Sequence, residues 1–214
     1  MTTSEIAPGI IEIDTLLGGW DKVTAGYLVH GDAPVLVETG SQSSVAVLLD
    51  ALDSLGVSPT DLAGVAVTHI HLDHAGGVGD VAKAFPSATV YVHEKGARHL
   101  VDPTRLIDSA ARVYGPLLDS LYGRLEATPA ERIHVLDDGE EVRVGPDRVL
   151  VAVDSPGHAN DDALGPHRSI VAVSFPAGRS ALSAAACVRR DNHRYSAAPA
   201  ACAAVQTARP PLHA

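Results

Sequence analysis

Residues 68–77, which read THIHLDHAGG, concentrate side chains that can bind a metal. His69, His71, Asp73 and His74 fall within six consecutive positions. Zn²⁺ accepts imidazole nitrogen and carboxylate oxygen as ligands at about 2.0–2.2 Å, so side chains this close in sequence can share one site. The alternative interpretation is a hydrophilic loop that happens to be rich in histidine. Four such groups directly after an apolar strand favour metal binding over that alternative.

The flanking pattern predicts how these side chains come together. Residues 64–69, GVAVTH, have the composition of a short strand that is buried on both faces of a sheet. In extended backbone His69 and His71 point to the same side, because side chains alternate with a period of two. Asp73 and His74 begin the following helix, whose first turn brings them back beside the strand. We therefore expect all four side chains at one strand-to-helix junction.

The rest of the chain predicts an α/β fold. Apolar residues recur from Val45 at i, i+3, i+4, i+7 and i+10, which indicates an amphipathic helix that ends at Gly56. Strands whose ends carry the polar residues, alternating with helices, are typical of an α/β sheet with its site at the strand ends. Gly76 and Gly77 are expected to leave room for backbone near that site. The other predicted strands cover 9–14, 24–31, 34–40, 88–94 and 147–158, and a further helix covers 77–85.

Length and composition limit the class of protein. A chain of 214 residues that is 46% hydrophobic can bury a sizeable core, and one domain is the simplest interpretation. The formal net charge of -10 disfavours a nucleic-acid partner. The N-terminus lacks the pattern of a secretory signal, and no apolar stretch approaches the roughly 20 residues that span a bilayer. Cys187 and Cys202 form neither a disulfide framework nor a CxxC pair. We expect a soluble, cytoplasmic protein without a membrane partner.

The motif HxHxDH resembles the signature of the metallo-β-lactamase superfamily. The segments IDTLLGGWDKVTAGYLV, LVETG, VYVHEKGARHLVDPTRL and SPGHA also look like parts of its small hydrolases. The closest resemblance is to glyoxalase-II-like proteins and quorum-quenching lactonase homologues, and it covers about residues 8–159. It implies an αββα sandwich with a metal centre at one edge.

The resemblance also implies a ligand set and a reaction. By position, His69, His71 and His158 would hold the first metal, and Asp73 and His74 would begin the second site. Two cations about 3.5–4 Å apart can share a hydroxide, and metal binding lowers the pKa of water toward ~7. The implied activity is hydrolysis of an ester, lactone or thioester by a metal-bound hydroxide that the catalytic Asp73 orients. The implied cofactor is Zn²⁺, as one or two divalent ions. The implied partner is a small-molecule substrate, and whether a second copy of the chain forms a homodimer with it is an open question.

Residues 159–214 depart from the family pattern. The resemblance implies an F-x-G-D-A strand, whose Asp bridges the metals, and a later His. Here SFPAGRSA occupies about that place, but Gly178 is followed by Arg179. No Lys or Glu occurs after Glu141, and alanine clusters replace periodic patterning. A shifted reading frame is favoured over a diverged terminus, and we predict a domain over 1–158 with an aberrant C-terminal tail, so that the C-terminal part of the sandwich is incomplete or diverged.

Three functions remain open at this point. The first is the metal-dependent hydrolase, and the second is a catalytically impaired family member that lacks the second metal site because of the altered C-terminus. The third is a mono-iron oxygenase or redox relative. It fits less well, because the first site would offer three histidines and no clear Asp. The chain contains no G-x-S-x-G sequence that would favour a serine nucleophile.

Several other residues carry weaker predictions. Glu38 stands where the resemblance implies an Asp in a DTG turn, and it is expected to support the metal ligands, with its longer side chain loosening that support. Trp20 is expected either to pack or to line the pocket. His93 and His99 are expected to be structural or to face solvent rather than to line the pocket.

Segment 102–125 predicts a helical pair. Asp102 is expected to cap a helix whose first residue is Pro103, and a Gly-Pro pair at 115–116 separates a second helix. An apolar stripe runs through both helices, which indicates either core packing or a cap over the metals that shapes an acyl or lactone pocket. The stripe consists of Leu106, Ala110, Val113, Leu117, Leu121 and Leu125.

Overall fold

The structure is a computed structural model that describes residues 3–153 and the backbone of three later strands. Strands and helices alternate along this part of the chain, as the sequence predicts. The strands are β1 (Thr3–Ala7), β2 (Ile10–Asp14), β3 (Ala25–Val29), β4 (Val35–Val37), β5 (Gly64–Ala66), β6 (Thr89–His93), β7 (Ile133–Leu136), β8 (Glu141–Gly145), β9 (Arg148–Val151), β10 (Ser155–Ala159), β11 (His167–Ser169) and β12 (Ala172–Ser174). The α-helices are α1 (Val45–Ser54), α2 (Leu72–Ala75), α3 (Val78–Ala84), α4 (Glu94–Val101), α5 (Thr104–Tyr114) and α6 (Leu118–Leu121).

A seven-stranded mixed sheet, with its strands in the order β1 to β7, forms the centre of the fold. The pairs from β1 to β4 are antiparallel, and the pairs from β4 to β7 are parallel. Strand β2 is therefore parallel to β4, because two antiparallel pairings separate them. As a result β2, β4, β5, β6 and β7 all end at the same edge of the sheet, which we call the carboxyl edge. Loops at such an edge are where α/β sheets place their sites.

A second sheet, ordered β12-β9-β8, packs on one face of the first. The alternation along β4 shows this layering. Val35 and Val37 lie in one apolar cluster with Val142 and Leu150 of the second sheet. Leu36, which lies between them, belongs instead to the cluster on the helical face of the sheet. The described residues thus form a helical layer and two sheets, while the outer helical layer of the predicted αββα sandwich falls outside them.

The helical layer covers the opposite face of the large sheet. Leu48 and Leu52 of α1 are fully buried against that face, as the apolar periodicity predicts. Gly56 follows the helix with a φ of 78°, the left-handed conformation that glycine adopts without strain. Helices α4 to α6 cover the neighbouring part of the sheet through a third cluster, in which Leu100 and Leu118 are buried.

Two predicted strands are shorter in the structure. Strand β5 ends at Ala66 rather than at His69. The backbone N–H of Val67 still reaches the carbonyl of Tyr91, but the next N–H, that of Thr68, turns to a side chain of another loop. The stretch predicted as one strand over 147–158 divides into β9 and β10, which lie in different sheets. Residues of the predicted tail also pair in these sheets, since β12 lies antiparallel to β9.

Arg148, in β9, connects the second sheet to the N-terminal hairpin of the first. Its Nη2 donates a hydrogen bond to the carbonyl of Pro8 at 2.8 Å, and its Nη1 donates one to the carbonyl of Gly9 at 3.1 Å. Nη1 also donates to the carbonyl of His30 at the end of β3. One guanidinium thus satisfies three backbone acceptors at the turn of the hairpin and fixes the distance between the two sheets there.

The core-packing alternative for the apolar stripe through α5 and α6 holds only in part. Leu106 and Leu125 are buried, but Val113 is 73% exposed and Leu117 is 58% exposed. Gly115, after Val113, has a φ of 53° and redirects the chain, so Leu117 does not continue the buried face of α5.

Helix α5 begins one residue later than predicted. It starts at Thr104, and Pro103 occupies the position before it. Asp102 still provides the cap, because its Oδ1 accepts hydrogen bonds from the backbone N–H of Thr104 at 3.1 Å and from the Thr104 hydroxyl at 2.6 Å. The predicted function of Asp102 as a capping residue is therefore correct, with the helix displaced by one position.

Candidate metal centre

The predicted ligands of residues 69–74 gather at the carboxyl edge of the large sheet. His69 and His71 lie in the connection after β5, and Asp73 and His74 lie in α2. His71 has extended backbone, with φ -61° and ψ 148°, directly before the helix begins. The strand-to-helix junction predicted from the sequence is therefore present, and it brings these four side chains together.

His69 and His71 direct ring nitrogens toward each other. Nε2 of His69 lies 3.1 Å from Nδ1 of His71, and the two ring centroids are 4.6 Å apart. Two nitrogens that bind one tetrahedral Zn²⁺ at about 2.0–2.1 Å would lie roughly 3.3 Å apart. The observed separation fits a shared cation as well as it fits a hydrogen bond between the rings. The other ring nitrogen of His69 has a partner as well, because Nδ1 lies 2.9 Å from the hydroxyl of Thr68.

Asp73 and His74 form a second pair beside the first. Nε2 of His74 lies 3.4 Å from Oδ2 of Asp73, and the rings of His69 and His74 have centroids 4.1 Å apart. The side chains of Asp73 and His74 are 19% and 14% exposed, so both are partly accessible to solvent. The arrangement therefore places a partly exposed carboxylate beside three clustered imidazoles.

Glu38 supports both pairs from the loop after β4. It is fully buried, and its Oε1 accepts a hydrogen bond of 2.6 Å from the backbone N–H of Thr68. Its Oε2 contacts Nδ1 of His74. Both oxygens are thus engaged, so the expected loosening by the longer side chain is not what the structure shows. Glu38 has a φ of 65°, and such a strained backbone conformation persists where the surroundings fix it.

Thr39 is a supporting residue that the sequence reasoning missed. Its backbone N–H and its hydroxyl both donate to the carbonyl of His74, at 2.9 and 3.0 Å. Its hydroxyl also accepts a hydrogen bond from the N–H of Gly77 at 3.2 Å. Thr39 therefore fixes the backbone around His74. The only signal in the sequence was its position within LVETG.

The two glycines after the motif leave room for neighbouring backbone, as the sequence predicts. A Cβ on Gly76 would lie 2.9 Å from the backbone nitrogen of Gln42 and 3.0 Å from Cα of Ser41. A Cβ on Gly77 would lie 2.7 Å from Cγ2 of Val45. These glycines thus allow the loop after β4 and the start of α1 to pack closely against the residues that follow His74.

The described residues do not complete a metal site by themselves. Among the side chains that the structure describes, no group of three His, Cys, Asp or Glu residues is arranged to hold a metal ion. His158, the third ligand predicted for the first metal, lies in β10, and its side chain is outside the described residues. The donors that are described still fit a divalent cation, because His69 and His71 present nitrogens at the required spacing.

Three other histidines in the described part of the chain have structural contacts. His93 caps α4, since its Nδ1 accepts the backbone N–H of Lys95 at 3.2 Å. His99 is buried in the same helix, and its Nε2 accepts a hydrogen bond from Nε of Arg98. Nε2 of His134 lies 2.6 Å from Oε1 of Glu140. The expectation that His93 and His99 are structural rather than pocket-lining agrees with these contacts.

Trp20 lies in the loop after β2, at the same carboxyl edge. Trp20 is 60% exposed, so most of its surface does not pack against the rest of the protein. The carboxylate of Asp14 holds this loop by accepting hydrogen bonds from the backbone N–H groups of Leu16, at 3.1 Å, and Lys22, at 2.8 Å. Both of these residues have positive φ, which marks a fixed rather than an extended loop.

In the described part of the chain, no helix is both long enough and apolar enough to cross a bilayer. The longest helix, α5, has 11 residues, about half of what a membrane span needs.

Comparisons with known proteins agree with this fold. Residues 18–164 match the family model of the metallo-β-lactamase superfamily. The chain is 42% identical over 74 residues to metallo-β-lactamase domain-containing protein 1 of Mus musculus, which covers 35% of this chain and 26% of the mouse protein. It is 32% identical over 134 residues to a hydroxyacylglutathione hydrolase of Rhodopseudomonas palustris, which covers 61% of this chain and 47% of that enzyme.

Solved structures show the same fold at lower identity. The FEZ-1 metallo-β-lactamase from Legionella gormanii superposes with a TM-score of 0.59 at 20% identity, over 82% of this chain and 58% of that enzyme. The chain thus spans between about a quarter and three fifths of the length of these relatives. The predicted sandwich fold and the predicted resemblance are confirmed. The family model matches most of the length of this chain, and the HxHxDH histidines lie together at the edge of the sheet. The chain therefore belongs to the metallo-β-lactamase superfamily.

Proposed function

We propose that this chain is a zinc-dependent hydrolase that cleaves an ester, lactone or thioester bond. The observation that carries the proposal is the 3.1 Å approach of Nε2 of His69 to Nδ1 of His71 at the carboxyl edge, with Asp73 and His74 beside them. Neutral imidazoles together with one carboxylate are the donor set that zinc accepts. His158 would add a third imidazole to the first pair.

Different residues of the chain would have different functions in such a site. A divalent cation would supply Lewis acidity, which polarises a substrate carbonyl and acidifies water at neutral pH. His69 and His71 would hold that cation, and Thr68 would keep the His69 ring in place. Asp73 is the partly exposed acceptor, so its Oδ2 would orient the attacking water and accept its proton. Thr39 keeps His74 at the distance that this arrangement requires.

The substrate class rests on the relatives rather than on the site alone. The hydroxyacylglutathione hydrolase relative is named for a thioester substrate, so we propose a thioester as the first substrate to test. The matched region covers 47% of that relative, so more than half of its length has no counterpart in the alignment. Lactones and simple esters therefore belong in the same experiment.

A second candidate function is an impaired family member that holds one metal. It is favoured by the sequence after Gly178, where Arg179 stands in place of the implied aspartate. Without a bridging carboxylate, the repulsion between two nearby cations is offset less well. In this case the second pair, Asp73 and His74, would bind a cation weakly, and hydrolysis would be slow.

One experiment separates these functions. The full chain would be purified with excess Zn²⁺ and dialysed, and its metal content and its turnover of a thioester, a lactone and an aryl ester would be measured. A version whose tail restores an F-x-G-D-A strand and a final His is the matched control. Bound zinc with turnover equal to the control supports the hydrolase, and about one metal with turnover only in the control supports the impaired member. Firm binding of iron alone, without hydrolysis, contradicts both.

The remaining expectations stay predictions. They are a cytoplasmic location, the lack of a nucleic-acid partner, a possible homodimer, and a domain over 1–158 followed by an aberrant tail. Size-exclusion chromatography with light scattering would test the homodimer.

A further inference from the structure

Residues 15–23 form the loop after β2, which we call the Trp20 loop. This loop lies at the carboxyl edge of the large sheet, the same edge as the connection after β5 that carries the metal-binding histidines. Its two ends meet, because the backbone N–H of Thr15 donates to the carbonyl of Thr24 at 3.1 Å and the two hydroxyl oxygens lie 2.6 Å apart. Both threonines are buried, so the ends of the loop are fixed, and the position of Trp20 depends on how the interior of the loop is held.

The carboxylate of Asp14 holds that interior from the end of β2. Its Oδ1 accepts a hydrogen bond from the backbone N–H of Leu16, and its Oδ2 accepts one from the backbone N–H of Lys22. One buried carboxylate thus joins the beginning of the loop to its far side. Leu16 and Lys22 have φ values of 52° and 62°, and residues with side chains persist in this region only where contacts hold them.

The beginning of the Trp20 loop also packs on the segment that precedes α1. A Cβ on Gly40 would lie 2.8 Å from Oγ1 and 2.9 Å from Cβ of Thr15, so the two segments approach each other closely. The carbonyl of Gly40 in turn accepts a hydrogen bond of 3.1 Å from the backbone N–H of Gly77, three residues after His74. The Trp20 loop therefore has a fixed place relative to the metal-binding motif.

The side chain of Trp20 lies against the backbone of its own loop. A Cβ on Gly18 would lie 3.0 Å from Cζ3 of Trp20 and 3.0 Å from Cδ2 of Leu121 in α6. Gly18 thus lies between the indole and α6, so the indole is supported on one side while most of its surface stays exposed. A movement of the loop would therefore move the indole with it.

We propose that Asp14 is a positioning residue whose carboxylate keeps the Trp20 loop in one conformation before any substrate binds. The inference rests on the proposed function, because it treats this loop as one wall of the substrate site at the carboxyl edge. A wall that is already ordered adds no ordering cost to binding, so the substrate binds more tightly than it would to a loop that must first close. Asp14 therefore acts on substrate affinity rather than on the chemistry at the metal.

The substitution Asp14→Asn keeps the size of the side chain but replaces one acceptor oxygen with an NH₂ group, which donates. Whichever way the amide is turned, the N–H of either Leu16 or Lys22 then faces a second donor. Hydrogen exchange of these two amides, measured by NMR of the metal-free full-length protein, should become roughly 10–100-fold faster, as expected for the loss of a hydrogen bond to a charged group. The control is Asp61→Asn, which removes a carboxylate acceptor from the backbone N–H of Ser58 in an exposed turn. Unprotected Leu16 and Lys22 amides in the unaltered chain overturn the inference, and this result needs no variant that could fail to fold.

Fluorescence and steady-state kinetics give the second readout. Trp20 is the only tryptophan in the sequence, so its fluorescence reports on this loop alone. Asp14→Asn should enlarge the fast nanosecond component of the Trp20 anisotropy decay and raise KM by up to the factor seen in exchange, because only the closed fraction binds substrate well. Its kcat and zinc content should equal those of Asp61→Asn, whereas a purely structural role would not separate KM from kcat.

An unchanged KM in folded Asp14→Asn contradicts the inference, and so does a loss of zinc together with kcat. If the unaltered chain hydrolyses none of the test substrates, the proposed function fails. Amide exchange and anisotropy then still decide whether Asp14 holds the Trp20 loop in one conformation.

Discussion

Nδ1 of His71 lies 3.1 Å from Nε2 of His69, while Ile70 between them is buried in the apolar cluster beneath the helices. The alternation of extended backbone thus separates the side that carries the two imidazoles from the core side within three residues. Because Ile70 anchors this short segment in the core, the two imidazoles are held close before any ligand arrives. Such prior organisation lowers the entropic cost of forming the site.

The double substitution His69→Ala with His71→Ala should abolish high-affinity uptake of divalent metal, because it removes both nitrogens of the closest donor pair. Elemental analysis after dialysis measures the metal content. His134→Ala is a suitable control, since His134 pairs with an exposed Glu140 away from the site. Metal content equal to that of the unaltered protein would show that the cation binds elsewhere.

The substitution Asp73→Asn should lower kcat by roughly 10²–10⁴-fold, which is the usual contribution of a positioned acid or base. The amide keeps the volume of the carboxylate but loses its ability to accept a proton. The metal held by His69 and His71 should remain largely bound, so metal content and steady-state kinetics are measured together. Asp108→Asn, on the exposed side of α5, is the control. Full activity in Asp73→Asn is the result that contradicts this mechanism.

The substitutions Leu106→Ala and Leu117→Ala should differ strongly in their effect on stability. Leu106 is 3% exposed, and its truncation should lower the free energy of unfolding by about 2–5 kcal/mol. Leu117 is 58% exposed, and its truncation should change that free energy by less than about 0.5 kcal/mol. Urea unfolding measures both. If the helical pair also shapes the substrate pocket, Leu117→Ala should raise KM without lowering stability, and an unchanged KM argues for a purely structural helical pair.

The stability of the start of α5 should depend on pH. The hydroxyl of Thr104 and then its backbone N–H hold the pKa of Asp102 below its ordinary value of 3.8. A carboxyl group with a lowered pKa in the folded state stabilises that state above the ordinary pKa, and this contribution is lost as the pH falls through the lowered value. Asp102→Asn should therefore remove part of the acid dependence of Tm between pH 5 and about pH 2. A Tm profile that is identical in both proteins would show that the cap does not contribute.

The local pattern of the sequence was sufficient to predict the strand-to-helix junction. The apolar composition of 64–69 indicates a buried strand, and the spacing of the histidines determines the side to which each points. Both are properties of neighbouring residues. The amphipathic face of α1 follows from its periodicity in the same way.

Contacts between distant segments could not be predicted in this way. Thr39 and His74 are 35 residues apart, and only the parallel pairing of β4 with β5 brings their loops together. The prediction of a continuous buried face through Leu106 and Leu117 was incorrect for a related reason. Its periodicity assumes one continuous helical direction, and the turn at Gly115 changes that direction.

The bond from Arg148 to the carbonyl of His30 has a consequence for synthesis on the ribosome. The two residues are 118 positions apart, so the N-terminal hairpin is complete long before its guanidinium partner has been translated. At about 5–20 residues per second, the interval is roughly 6–24 s. During that time the carbonyls of Pro8, Gly9 and His30 lack the guanidinium donor, and the hairpin has no second sheet to cover its apolar face. Nascent chains released before Arg148 should therefore be the species that chaperones bind.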